Sequence, residues 1–151
     1  MSEVHIVAIN VRSVLNVGAL FRTADALGIE KIWITGYTPT PDHPRMKKTS
    51  LGAEATVPWE QVVDPIECLD RLRVSGIRVY GLELAEDASD LAMIAPSGPC
   101  AIVVGNEVEG LSRMQMDHCD EIVMIPQVGT KESLNVAIAG SIAMWQFKKG
   151  T

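Results

Sequence analysis

Short apolar runs alternating with helical stretches constrain this chain more than any other feature. The runs at 4–11, 32–35, 79–84, 100–104 and 121–125 read as strands, and the stretches between them carry helical spacing and helix-end residues. That alternation predicts an α/β fold with a mostly parallel sheet flanked by helices. The first helix is expected to start at Asn16 as its N-cap, to turn Val17, Leu20, Phe21, Ala24 and Leu27 inward, and to stop at Gly28. Asp64 and Pro65 suit the N-cap and first position of another, with Ile66, Leu69 and Leu72 inward and Gly76 as its stop. A short helix is expected from Ser112. A long apolar one follows over about 134–149, capped by Ser133 and stopped by Gly150. Residues 36–48, with Pro39, Pro41 and Pro44, break the pattern and read as a loop ending in Arg45, Lys47 and Lys48.

A length of 151 residues suits one domain over 1–151, and 47% hydrophobic with 21% charged residues suits a soluble globular one. No apolar run reaches the roughly 18 residues of a membrane span, and the N-terminal residues lack the pattern of a signal peptide. Cys68, Cys100 and Cys119 are odd in number and widely spaced, and His5, His43 and His118 form no ligand set. A disulfide framework and a metal site are therefore not expected, and a cytoplasmic location with reduced thiols is. The net charge of −6 argues against nucleic acid at long range. An RNA reading must rest on local basic clusters, on a dimer that gathers them, or on an auxiliary protein partner.

Three segments look unlike mere connectors. In the first, Asn16, Val17 and Gly18 precede Arg22 and Thr23. A cap at Asn16 would put Arg22 roughly one and a half to two turns into the helix, off the apolar face, where a guanidinium can clamp a phosphate. The plain alternative is a solvated arginine beside an ordinary cap. The second segment, 103–111, follows a strand and holds Gly105, Asn106, Glu107, Glu109 and Gly110. Its glycines permit close backbone approach to a ligand, although a glycine-rich turn with solvated carboxylates fits equally. Dinucleotide and P-loop fingerprints are absent. In the third, 125–136, Ser133 and Asn135 stand at the start of the last helix, whose free N–H groups suit an anion. Ser133 lacks a nucleophile elbow, so a hydrolase is not expected.

Together and in order, these segments resemble the three motifs of the SpoU (TrmH-like) family of RNA ribose 2′-O-methyltransferases, within the SPOUT class. Asn16, Gly18, Arg22 and Thr23 match the first motif; Gly105, Glu107, Gly110 and Leu111 match the second. Ile125, Pro126, Gly129, Ser133, Leu134 and Asn135 match the third. The resemblance spans the chain from Asn10 to the final helix. It implies a C-terminal deep trefoil knot whose loops hold S-adenosyl-L-methionine, with Leu82, Gly105, Ile125, Ser133 and Leu134 lining the pocket. It further implies an obligate homodimer in which Arg22 of one subunit completes the site of the other. Arg22, Asn16, Glu107, Ser133 and Asn135 would then surround the target ribose. The expected substrate is RNA, tRNA first and rRNA second, with Arg45, Lys47 and Lys48 as further RNA contacts.

For such a reaction the protein must align the 2′-oxygen behind the methyl group and help the hydroxyl lose its proton. Arg22 is expected to orient a phosphate and stabilise charge on that oxygen, while Glu107 orients either Arg22 or Asn16. The rivals are a noncatalytic knotted module that binds S-adenosyl-L-methionine or RNA, a SPOUT-class base methyltransferase, and an unrelated nucleotide-using α/β enzyme.

Overall fold

The structure is a computed structural model that describes residues 2–130 and 133–149. Seven strands, β1 (Val4–Ile9), β2 (Lys31–Thr35), β3 (Trp59–Val62), β4 (Arg78–Leu82), β5 (Ser89–Asp90), β6 (Cys100–Val104) and β7 (Glu121–Met124), form one sheet. Their order is β3-β2-β1-β6-β4-β7-β5, and every pairing is parallel. Five α-helices accompany it among the described residues: α1 (Val14–Leu27), α2 (Lys47–Ser50), α3 (Pro65–Val74), α4 (Arg113–Asp117) and α5 (Val136–Lys148). No helix among the described residues is long and apolar enough to cross a membrane.

The central strands show why the apolar runs are continuous rather than alternating. Successive side chains point to opposite faces, and both faces are covered. From β1, Val4, Ile6 and Ala8 join one core cluster while Val7 and Ile9 join the other; from β6, Cys100, Ile102 and Val104 oppose Ala101 and Val103 in the same way. The first cluster is completed by α1 and α5 through Leu20, Phe21, Ala143, Met144 and Phe147. The second is completed by α3 through Cys68, Leu69 and Leu72. Phe21 is fully buried, so truncation to Ala is expected to cost about 3–5 kcal/mol.

Helix ends hold two corrections. Ser13, not Asn16, caps α1: its side chain accepts from the Asn16 N–H, and Asn16 lies inside the first turn. Both residue types cap well, so their order along the chain did not settle the choice. Likewise Asn135, not Ser133, caps α5, its Oδ1 accepting from the N–H groups of Ala137 at 2.9 Å and Ile138 at 3.1 Å. The Asp64 cap with Pro65 behind it, the Ser112 cap of α4 and the left-handed Gly28 after α1 match expectation. Gly150, expected to stop the last helix, lies outside the described residues, as do Lys131 and Glu132 of the loop before it. The expected loop at 36–48 runs instead into α2, a single turn without an apolar stripe.

Candidate active site

The carboxyl ends of β4, β6 and β7 open onto a cleft of about 270 Å³. Its walls include Leu82, Val104, Gly105, Ile125, Ser133, Leu134, Val136 and Ala139, and its polar lining includes Glu83, Asn106, Glu107, Glu109 and Gln127. No lysine or arginine lines it among the described residues. All five residues expected from sequence to form a pocket, Leu82, Gly105, Ile125, Ser133 and Leu134, therefore share one cavity.

The loop from Gly105 to Gly110 forms one wall, and its glycines are required by the chain itself. A Cβ on Gly105 would stand 2.6 Å from the Gly110 carbonyl carbon and 2.7 Å from its oxygen, closer than real side chains approach backbone. Gly110 has φ +66°, and a side chain there would run into the Glu83 carboxylate. These glycines thus close the loop on itself and on Glu83, where the sequence suggested space for a ligand. Glu83 Oε2 accepts from the Leu111 N–H at 2.8 Å, which pins the far end of the loop.

Glu107 pins the other side. Its carboxylate accepts from the backbone N–H groups of Arg12 at 2.9 Å and Ser13 at 2.8 Å, where the chain enters α1, and from Asn16 Nδ2 at 3.1 Å. Burial pushes the Glu107 carboxyl up, but the hydrogen bonds from Arg12, Ser13 and Asn16 outweigh it and hold the group below its ordinary value. Asn16 Oδ1 in turn accepts from Asn135 Nδ2 at 3.1 Å. One residue from each motif is thereby linked in the order Glu107, Asn16, Asn135. Of the two partners expected for Glu107, the structure selects Asn16.

Arg22 is not part of this network. It is exposed on α1 and lines a separate groove with Ala19, Thr23, Lys48, Thr49, Ser141 and Trp145. It makes no hydrogen bond or ion pair among the described residues. Gly18 lets this groove form, because a Cβ there would collide with the Thr49 side chain packed over α1. Thr23 and Ser141 share a hydrogen bond of 2.9 Å on the groove floor, tying α1 to α5. Arg45, Lys47 and Lys48 are all exposed, and Lys48 reaches the groove itself.

Sequence reasoning passed over Glu83 and Tyr37 and gave Asn106 no role of its own. Glu83 reads as one polar residue within an apolar stretch, and nothing local shows that it reaches Leu111. Asn106 Nδ2 donates to the Asn10 carbonyl at 3.0 Å and to the Tyr37 hydroxyl at 2.8 Å, contacts that only the folded sheet creates. The histidines are engaged separately: His5 with Trp33 and Glu3, His43 with the Arg45 N–H, His118 with Asp70. Burial pushes the Cys68, Cys100 and Cys119 thiols up to about 12.

Residues 3–145 match the SpoU rRNA Methylase family. A relative from Staphylococcus haemolyticus, named for the TrmH family of tRNA/rRNA methyltransferases, is 37% identical over 131 residues, covering 87% of this chain and 52% of the relative. A 23S rRNA (guanosine-2′-O-)-methyltransferase from Xanthomonas axonopodis pv. citri is 34% identical over 131 residues, covering 87% and 52%. The crystal structure of an AdoMet-bound rRNA methyltransferase from Sinorhizobium meliloti superposes with a TM-score of 0.89 at 29% identity, covering 95% of this chain and 55% of that one. The chain thus spans about half the length of the curated relatives it matches.

Proposed function

The chain belongs to the SpoU rRNA Methylase family, and from that premise we propose that it transfers the methyl group of S-adenosyl-L-methionine to a ribose 2′-hydroxyl in RNA. The observation that carries this reading is the hydrogen-bonded series Glu107, Asn16, Asn135 at the edge of the cleft. Glu107 is spent on holding that series together, so Asn16 and Asn135 face the ribose. Each keeps one amide N–H beyond the bonds described, enough to orient a sugar hydroxyl.

The cleft suits the cofactor. Leu82, Ile125 and Leu134 offer apolar walls, Gly105 and Ser133 complete the lining, and Glu83, Glu107 and Glu109 make the cavity acidic, which favours a cation. When bound, S-adenosyl-L-methionine supplies an activated methyl group on a positively charged sulfur. Arg22 clamps a phosphate of the RNA and stabilises negative charge on the 2′-oxygen. A guanidinium stays protonated near neutral pH, so the proton leaves to a phosphate oxygen or to water. Arg45, Lys47 and Lys48 add phosphate contacts, Lys48 within the same groove.

Arg22 does not line the cleft of its own chain, and a homodimer reconciles the two. Ile138, Ile142 and Trp145 follow one another at helical spacing along α5 and are 54%, 41% and 59% exposed, with Leu15 of α1 at 45%. Apolar surface of that kind favours a partner. Trp145 also borders the Arg22 groove, so a second copy docked on α5 would bring its cleft towards Arg22. A C-terminal trefoil knot belongs to the same reading. Its support is that β7 enters the sheet between β4 and β5, two strands that precede it in the chain. The described residues share one sheet with cores on both faces, which supports 1–151 as one catalytic domain.

The test is labelled S-adenosyl-L-methionine with purified protein and separate pools of unmodified tRNA and rRNA, digested to nucleosides. Label in a 2′-O-methylated nucleoside is expected, from tRNA first and rRNA second. A labelled base would reassign the reaction to a base methyltransferase. Cofactor binding without transfer from either pool would favour the noncatalytic module or an absent auxiliary protein. Absence of cofactor binding would overturn the reading.

A further inference from the structure

Tyr37 follows β2 at the carboxyl edge of the sheet, and 59% of it is exposed. Neither core cluster includes it. An exposed aromatic side chain ordinarily moves among rotamers, but this one is tied at both ends. Its hydroxyl accepts a hydrogen bond from Asn106 Nδ2 at 2.8 Å, and its backbone N–H donates to Asn10 Oδ1 at 3.1 Å.

Its neighbours are fastened too. The Gly36 N–H donates to the Val63 carbonyl at 2.9 Å. The Thr38 hydroxyl donates to the Ala8 carbonyl at 3.1 Å and accepts from the Val11 N–H at 3.0 Å. Asn106 is held in turn, its Oδ1 accepting from the N–H groups of Val108 at 2.8 Å and Glu109 at 2.9 Å. Asn106 lines the cleft and directly precedes Glu107. A ring is therefore presented to solvent in a fixed position, one hydrogen bond from the wall of the cleft.

We propose that Tyr37 is a stacking platform for an unpaired nucleobase of the RNA, beside the nucleotide whose ribose enters the cleft; this rests on the RNA methyl-transfer reading above. A ring already immobilised loses little freedom when a base settles on it. Stacking needs no cation, which suits a chain of net charge −6 whose cleft is acidic. It also narrows the substrate. A base within a helix has both faces covered by its neighbours, whereas a base in a single-stranded loop or bulge can leave its stack. The RNA taken by this site is therefore single-stranded where it meets Tyr37.

The experiment compares Tyr37→Leu, Tyr37→Phe and Tyr37→Trp with the unaltered chain. It reads dissociation constants for unmodified tRNA and rRNA by filter binding, kcat and KM for methyl transfer, and S-adenosyl-L-methionine affinity by calorimetry. Tyr37→Leu is expected to weaken RNA binding and raise the RNA KM by about tenfold or more, with cofactor affinity unchanged. Tyr37→Phe and Tyr37→Trp should restore most of that loss, because they keep a ring. RNA binding by Tyr37→Leu equal to that of the unaltered chain would overturn the proposal. A loss in Tyr37→Phe as large as in Tyr37→Leu would also overturn it, reducing Tyr37 to a hydroxyl brace for Asn106. If the unaltered chain binds RNA but transfers no methyl group, the reaction fails while the dissociation constants still decide the role of Tyr37. Failure to bind RNA at all would remove both.

Discussion

The cleft at the ends of β4, β6 and β7 and the groove between α1, α2 and α5 are chemical opposites. The cleft is lined by three carboxylates, Glu83, Glu107 and Glu109, and by no lysine or arginine among the described residues. The groove holds Arg22 and Lys48 with hydroxyls from Thr23, Thr49 and Ser141 and the exposed Trp145. A net charge of −6 averages over these two surfaces and describes neither. Its apparent conflict with RNA binding dissolves once the charges are located, because phosphate contacts depend on where cations cluster. One chain thus carries both halves of the proposed reaction, at two sites that share no lining residue among those described.

Replacing Arg22 should break that division most severely. Arg22→Lys or Arg22→Ala is expected to lower methyl transfer by roughly 10²–10³-fold, the scale for losing one preorganised charge-stabilising donor. Cofactor affinity measured by calorimetry should change little, since the role assigned to Arg22 is on the RNA phosphate and the 2′-oxygen rather than on the cofactor. Full activity in Arg22→Lys would remove the role assigned to the fork-shaped guanidinium.

Glu107→Gln comes next, because it strikes the link between α1 and the cleft wall. The amide cannot accept all the hydrogen bonds that Arg12, Ser13 and Asn16 donate, so kcat should fall about tenfold or more, and stability by about 1–3 kcal/mol. The folded carboxyl lies below its ordinary value of 4.5, so its stabilising contribution is complete above that value and is lost as pH falls through the folded one. Thermal melts from about pH 3 to 7 should therefore show the gap between unaltered chain and variant closing only at the acid end. A gap independent of pH would mean that Glu107 is not the ionised acceptor described.

Smaller effects sharpen the contrast from each side. Leu134→Arg sets a cation in the acidic cleft. It should weaken S-adenosyl-L-methionine binding by about tenfold, and binding of the product that lacks the sulfonium charge by less. Equal losses for both ligands would point to bulk rather than charge. Neutralising Arg45, Lys47 and Lys48 should make RNA affinity fall less steeply with salt, the logarithmic slope dropping by about 0.7–0.9 for each phosphate these cations bind. An unchanged slope would clear these residues of phosphate binding. In the native protein the three cysteines should resist alkylation near pH 8, since burial holds their thiols at about 12.

What the sequence disclosed follows from how local each signal was. Buried parallel strands need apolar side chains on both faces, so β6 is legible as an unbroken run and β1 as one interrupted only by His5. The edge strand β3, Trp-Glu-Gln-Val, and the two-residue β5 bury too little to leave that mark. The α2 turn holds only Lys47, Lys48, Thr49 and Ser50, so no stripe shows it. Of the residues that share the cleft, Gly105, Ile125, Ser133 and Leu134 were legible within motifs and Leu82 as the end of an apolar run, yet the partners that hold the loops were not. Glu83 acts on Leu111, and Asn106 on Tyr37, across 28 and 69 positions. The position of Arg22 relative to the cleft is likewise a property of the packed helices, which spacing along α1 could not supply.

The central claim is that the two surfaces work together only across a pair of chains. It is tested most directly by combining Arg22→Ala, whose cleft is intact, with Leu134→Arg, whose groove is intact. The two variants, Leu134→Arg keeping about a tenth of the unaltered activity at limiting S-adenosyl-L-methionine and Arg22→Ala less, would be co-expressed with different tags and the mixed species purified. In a random mixture, half the dimers are mixed and each has one complete site, so activity should return to about a quarter of the unaltered level, and doubly tagged dimers should reach about half. Activity no higher than that of either parent in purified mixed dimers would contradict the account and place Arg22 and the cleft at work within a single chain or apart from the reaction.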